Sequence, residues 1–306
     1  MGEESRVSVV ICCYTQDRWA QIESAVDSVA NQTLAAHELI LVVDDNEELL
    51  ERSRSAFPWV QVVPNSTKGL SAARNTGIEL AKGDVVAFLD DDAAAAPEWL
   101  SHIAAAFDDA TVVAAGGPVT PMWPEARPQF LAPEFDWVVG CTFAGMPRDG
   151  RFVRNLIGAN MSFRSSVLDQ IGGFTPALGR GPNDLRGGEE TELCIRAKRA
   201  VSGASVVMVD DARVSHHVSA ERTTFRYFMK RCWAEGRTKG VLSAMQPSRE
   251  SLGSETAYTF RVLPKALLRE VRSLNWARSG AIVGGLAAAS MGFVWQRARG
   301  LLSRAS

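Results

Sequence analysis

Two short acidic runs follow apolar segments, and a third opens a charged stretch further along: Asp44-Asp45-Asn46 after Leu39 to Val43, Asp90-Asp91-Asp92 after Val85 to Leu89, and Glu189-Glu190-Thr191-Glu192 after Gly187-Gly188. Adjacent aspartates repel one another. A divalent cation between them removes that cost, and hard carboxylate oxygens suit Mg2+ or Mn2+, which keep positions open for water and phosphate oxygens. A glutamate near its reference pKa of about 4.3 is ionised at neutral pH and ready to take a proton from a hydroxyl. Acidic groups at strand ends also mark aspartyl-phosphate receivers, so the triplet alone decides nothing. His216-His217 adds imidazole donors beyond the last expected strand.

The elements that must position these groups follow a βαβ rhythm. Val7 to Cys13 is a near-continuous apolar run, as a parallel strand covered on both faces requires. Trp19, Ile22, Val26 and Val29 recur at helical spacing, and strands follow at Leu39 to Val43, Val60 to Val63 and Val85 to Leu89. Ser71 is expected to cap a helix reaching Lys82, with Gly83 as its C′ residue, and Pro97 suits the first turn of another. Such crossovers imply a mostly parallel sheet with ligands beyond the carboxyl ends of the strands, where Tyr14-Thr15 and both aspartate runs fall. Between 117 and 157, prolines 118, 121, 124, 128, 133 and 147 alternate with Trp123, Phe130, Phe135, Trp137 and Phe143, read either as an ordered wall of a cleft or as a layer on the sheet edge. A strand at Ala159 to Phe163, a helix from Ser165, a loop Gly179 to Gly188, a helix near Glu189 and a strand at Val206 to Val209 complete the pattern. From Thr223 the chain reads as helical. One helix starts at Pro264, with Leu267, Val271 and Leu274 on one side and Lys265, Arg269 and Arg272 on the other, a pattern suited to an anionic membrane surface.

Four of these segments, in order, resemble family 2 glycosyltransferases of the GT-A fold. Phe88 to Asp92 is similar to the family's DxD motif, Val42 to Asn46 to its nucleoside-binding strand end, Asn65 with Gly69 to Gly77 to its "N…G…AARN.G" segment, and Gly187 to Leu193 to its "GED" catalytic-base segment. The likeness covers about residues 6 to 220. It implies a GT-A domain over 1–220, an α/β Rossmann-like, mostly parallel sheet flanked by helices, and a helical extension over 221–306. It also implies an inverting transfer from an NDP-sugar, a UDP-sugar by preference, to an acceptor hydroxyl. Tyr14, Thr15, Asp44, Asp45 and Asn65 are then expected around the nucleoside. Arg74 is expected at the donor phosphates or ribose, and Asn160 near the donor sugar. Asp90 is expected on ribose or metal, with Asp91 beside it and Asp92 as the direct ligand of Mg2+ or Mn2+. Glu190 is the expected base, although the family has Asp there, which leaves Glu189 as a competitor. The family's third metal ligand falls at His216 or His217, and Arg222 or Arg231 would neutralise the leaving diphosphate.

Bulk properties narrow the field. A formal charge of −2 gives no reason to expect nucleic acid as partner. Five cysteines without metal-ligand or CxxC spacing read as reduced thiols. The start is too polar for a signal peptide, and the apolar stretch Gly280 to Trp295 falls short of the ~20 residues of a spanning helix. The expectation is a cytoplasmic protein, peripheral on the membrane's cytoplasmic face, acting on a lipid-linked or saccharide acceptor of the cell envelope. Two rivals remain. A sugar-1-phosphate nucleotidyltransferase needs a Gly-rich basic loop after the first strand, which Cys12 to Gln16 does not supply. A catalytically silent nucleotide-sugar-binding protein would share every binding feature.

Overall fold

The computed structural model describes residues 5–146, 153, 155–176, 178, 185, 187–245 and 256–305. Most of the expected loop Gly179 to Gly188, and Pro147 in the proline-rich segment, lie outside these residues. The chain divides into two compact units: Met1–Met122 with Pro147–Gly179 and Glu189–His217, and Trp123–Met146 with Arg180–Gly188 and Val218–Ser306.

The first unit is built on a seven-stranded sheet in the order β3-β2-β1-β4-β8-β6-β9. Its strands are β1 (Val7–Cys13), β2 (Glu38–Val43), β3 (Gln61–Pro64), β4 (Val85–Asp90), β6 (Val112–Gly116), β8 (Asn160–Arg164) and β9 (Ser205–Met208). All neighbours pair in parallel except β8, which runs antiparallel between β4 and β6. Val9, Val10 and Ile11 of β1 and Ile40 to Val42 of β2 are almost wholly buried, as their unbroken β-branched and aliphatic run requires. Phe88 of β4 meets Phe163 and Phe174 edge-on at centroid distances of 6.5 and 5.4 Å, each such ring contributing roughly 1.5–3 kcal/mol by burial. The chain winds outward from β1 to β3, then α3 (Leu70–Leu80) returns it to β4 on the other side of β1. The strand order therefore reverses between β1 and β4, and a crevice opens at their carboxyl ends.

Local chemistry sets the helix boundaries. In α2 (Glu47–Ala56), Asn46 accepts a hydrogen bond from the Leu49 amide at 3.0 Å, and Glu47 and Glu48 complement the dipole. The start of α3 corrects the sequence expectation. Its cap is Gly69 at φ 120°, while Ser71 lies inside the helix and donates to the Leu178 carbonyl at 2.8 Å. Gly83 is not its C′ residue either, because α3 ends at Leu80 and Gly83 donates its N–H to Ser8 Oγ at 2.8 Å. Helices α1 (Trp19–Ala30), α4 (Trp99–Ala106), α5 (Ser165–Ile171) and α6 (Glu189–Ala200) begin within two residues of where the pattern predicts them. A second, small sheet is absent from the sequence reading: β5 (Ala93–Ala95), β10 (Val214–His217) and β7 (Val119–Met122), in the order β5-β10-β7.

The second unit holds α7 (Phe225–Met245), α8 (Leu263–Arg272), α9 (Trp276–Ala305) and the part Trp123–Met146 of the proline–aromatic segment. Phe130 and Phe135 pack on Phe228 of α7 at centroid distances of 5.7 and 5.3 Å. Three carboxylates are buried here, and Asp136 takes a two-point ion pair from Arg127 at 2.6 and 2.8 Å. Glu134 takes a two-point ion pair from Arg269 at 2.8 and 3.1 Å, and Glu270 is held by Arg269 and Arg278 at 2.6 and 3.6 Å. Arg269, on the basic side of the pattern, is half exposed while its guanidinium is engaged by Glu134 and Glu270. Helices α7 and α9 approach so closely that a Cβ on Gly236 would stand 1.9 Å from the Ala289 carbonyl oxygen, so only glycine fits there. Helix α9 also overturns the length argument. Its stretch Trp276–Gly300 is long and apolar enough to cross a membrane by length and composition, and 33% of its most apolar window is buried.

Candidate active site

The crevice between β1 and β4 gathers the chemistry. β4 carries Asp90 at its end, and Asp91 and Asp92 form the turn into β5. Because β5 pairs antiparallel with β10 in the register His216↔Ala93, the imidazole of His216 is brought to the triplet. Its Nε2 lies 3.1 Å from Asp92 Oδ1, and the His217 amide donates to the Asp92 carbonyl at 2.7 Å. Strand alternation turns the His217 side chain to the opposite face. Asp90, Asp92 and His216 each offer one ligand atom, all within 4.8 Å of one another. Two carboxylates and an imidazole fit a divalent cation of the Mn2+ or Mg2+ class.

Asp91 is buried at 4% exposure, and burial pushes its carboxyl up to about 7 even though Arg18 opposes the shift. Arg18 was not foreseen as a site residue. It ends a single 3-10 turn, Gln16–Arg18, that Thr15 caps by accepting from the Asp17 amide at 3.2 Å. One guanidinium nitrogen of Arg18 bridges Asp91 at 2.8 Å and Asp92 at 3.1 Å. The sequence signal was a cation five residues past a strand that ends in the same crevice.

Arg74, expected at the donor phosphates or ribose, sits inside the unit at 2% exposure. Its guanidinium contacts Asp90 at 3.3 Å, Glu189 at 3.3 Å and Glu190 at 4.0 Å, and it lies over the Phe174 ring at 5.2 Å. Burial works to lower its pKa, and Asp90, Glu190 and Glu189 together outweigh that and raise it. Arg74 is therefore a clamp joining the triplet to the glutamate pair. Of that pair, Glu189 has 2% of its side chain exposed and Glu190 has 20%. Glu190 is the carboxylate within reach of solvent. A Cβ on Gly158 would come within 2.7 Å of Glu190 Oε1 and 2.8 Å of an Arg74 nitrogen, so backbone without a side chain covers the pair. Glu192, by contrast, is consumed by Arg196 at 2.6 and 2.8 Å.

The expected nucleoside residues form a connected rim. Asp44 accepts from Asn65 Nδ2 at 2.8 Å and from the Gly69 amide at 2.9 Å, closing the loop before α3. Asn65 also accepts from Thr76 at 3.0 Å. Asp45 stands at φ 48° and pairs with exposed Lys68 at 2.6 Å. The ring of Tyr14 is 55% exposed beside them. Asn160 is corrected: it is fully buried, its amide spent on Trp99 Nε1 at 2.9 Å and the Ala212 carbonyl at 2.7 Å, which makes it a strut and not a sugar contact. Arg222 and Arg231 belong to the second unit, where Arg231 pairs with Glu235 at 3.1 Å over the Trp137 ring.

The sequence model of glycosyl transferase family 2 matches residues 8–172, which is more than half of the chain. This chain is a family 2 glycosyltransferase. The glucosyl-dolichyl phosphate glucuronosyltransferase of Haloferax volcanii is 35% identical to it over 247 residues, spanning 79% of each chain. Among solved structures, the mannosyltransferase PcManGT of Pyrobaculum calidifontis, bound to GDP-Man and Mn2+, aligns with a TM-score of 0.61 at 15% identity, covering 97% of this chain and 89% of its own. GalNAc-T7 with UDP, GalNAc and Mn2+ aligns at 0.57 and 18% identity, covering 82% of this chain and 52% of its own. These likenesses fix the fold of the glycosyltransferase as GT-A, with its mixed, mostly parallel sheet and C-terminal helices.

Proposed function

We propose that this glycosyltransferase moves a sugar, with inversion, from a UDP-sugar to a hydroxyl of a lipid-linked saccharide. The carrying observation is Glu190, a carboxylate open to solvent that Arg74 ties to the aspartate triplet. Glu190 takes the proton of the acceptor hydroxyl while that oxygen forms its bond to the anomeric carbon. The bond from that carbon to the diphosphate breaks on the opposite side, and the diphosphate leaves with the electron pair. Asp90, Asp92 and His216 would hold the divalent cation, whose charge offsets that of the departing diphosphate. The imidazole favours Mn2+ over Mg2+. UDP finds support in the GalNAc-T7 structure, and a glycosylated polyprenyl phosphate acceptor in the name of the Haloferax relative.

A membrane-proximal seat for the reaction is supported by the second unit. Residues 256–306 carry eight basic side chains and one acidic, in a chain of net −2. Leu268, Leu274 and Trp276 are 50, 70 and 65% exposed beside Lys265 and Arg272. An amphipathic surface of this composition lies in the plane of an anionic leaflet. None of the five cysteines forms a disulfide, which favours the reducing, cytoplasmic side.

A thermal-shift panel of UDP- and GDP-sugars, with and without Mn2+, tests the donor. A Mn2+-dependent shift with a UDP-sugar is expected, and silence toward every donor overturns the reading. Release of UDP on adding a short polyprenyl-phosphate glycoside then separates an enzyme from a silent binder. Sedimentation with phosphatidylglycerol vesicles at low salt tests the seat, and a protein left wholly in the supernatant removes it.

A further inference from the structure

Arg18 has no part in the reaction just described, yet it reaches two of the three triplet carboxylates. The same nitrogen reaches Asp91 Oδ1 at 2.8 Å and Asp92 Oδ2 at 3.1 Å. Asp91 is the fixed end of that bridge: it is buried, and among the described residues its second oxygen has no hydrogen-bond partner, so Arg18 at 2.8 Å is the counter-charge the structure gives it. Asp92 is the shared end, since its Oδ1 faces His216 at 3.1 Å and it belongs to the set fitted to a cation. The guanidinium carbon also lies 5.5 Å from the centre of the exposed Tyr14 ring, at the expected nucleoside rim.

Building on the donor-binding reading above, we propose that Arg18 is a positioning residue that couples cation loading at Asp92 to capture of the donor diphosphate. Two positive groups claim one carboxylate. Without nucleotide, Arg18 repels a dication at Asp92 and competes with it for Oδ2, so it weakens binding of the bare cation. A diphosphate reverses the sign, because its oxygens give the guanidinium a new anionic partner while Asp91 keeps the side chain in place. The site thus resists a bare cation and accepts the cation together with nucleotide. Tyr14 connects the same side chain to the nucleoside end, so base, diphosphate and metal ligands meet through one arginine.

The opposite signs make the test selective. Mn2+ binding to the full chain is measured from the loss of the free Mn2+ paramagnetic resonance signal, and UDP binding by calorimetry in saturating Mn2+. Arg18→Met is expected to tighten Mn2+ alone by roughly 3–30-fold and to weaken UDP by roughly 10–100-fold, or about 0.7–2 and about 1.4–2.7 kcal/mol. Arg18→Lys keeps the charge and loses the fork, so Mn2+ alone should stay near wild type and UDP should fall between the two. Damage to the crevice would weaken both ligands, and that result, or no change in either, overturns the inference. If Arg18→Met does not fold, the Arg18→Lys pair of measurements decides, with equal losses of Mn2+ and UDP counting against it. A wild-type chain that binds neither ligand removes the donor-binding reading itself, a result separate from variants that shift both ligands together.

Discussion

Both units bury carboxylates, and the difference between them lies in how the charges balance. In the second unit Glu134, Asp136 and Glu270 are matched by Arg127, Arg269 and Arg278, three acids and three guanidinium groups. In the first, Asp90, Asp91, Asp92, Glu189 and Glu190 share only Arg18 and Arg74 among the guanidinium contacts described. Burial alone therefore does not mark a site. Convergence does: in the first unit two carboxylates and an imidazole bring three ligand atoms within 4.8 Å of one another.

The sharpest break of this comparison is at the glutamates. Glu190→Gln should lower turnover roughly 10²–10⁴-fold in steady-state assays, with UDP affinity nearly intact, whereas Glu134→Gln should leave the Kd for UDP unchanged. Equal losses of turnover would erase the contrast. Next in size is metal removal. With UDP at about 100 times its Kd in Mn2+, calorimetric melting should show about 2.7 kcal/mol of added stability, and chelation with EDTA should remove most of it. In the second unit the expected cost is mechanical: Gly236→Val forces atoms into the Ala289 carbonyl and should destabilise the helices by about 1–3 kcal/mol in denaturant melts. The smallest effect belongs to the surface. Leu268→Glu with Leu274→Glu should cut partitioning onto phosphatidylglycerol vesicles about tenfold, near 1.4 kcal/mol, while stability changes by no more than about 0.5 kcal/mol.

Much of this was legible in the chain. β1, β2 and β4 were visible because buried parallel strands leave continuous apolar runs, and the acidic residues at their ends could be placed without coordinates. β5 was not, since three alanines carry neither β-branching nor alternation. With it went the means to choose between His216 and His217, a choice made by strand register alone. Arg18, Arg74 and Asn160 illustrate a second blind spot. Residue type gives the chemistry of a side chain but not the partner that consumes it, and these partners lie far away in sequence. The aromatic segment illustrates the same limit: its rings say that they pack, and α7 says against what for Phe130 and Phe135.

The pairing of β10 with β5 has a consequence for how the chain matures. Asp90 and Asp92 are in place once the first four parallel strands have zipped, whereas His216 arrives only when a strand from near the end of the first unit docks. Contacts of such long sequence separation form late. A divalent ion that prefers all three donors binds the finished fold over its precursors and pulls the equilibrium toward it. Nascent chains lacking β10 would expose the aspartates yet hold the ion loosely, so tight retention of metal doubles as a readout that folding of the catalytic unit has run to completion.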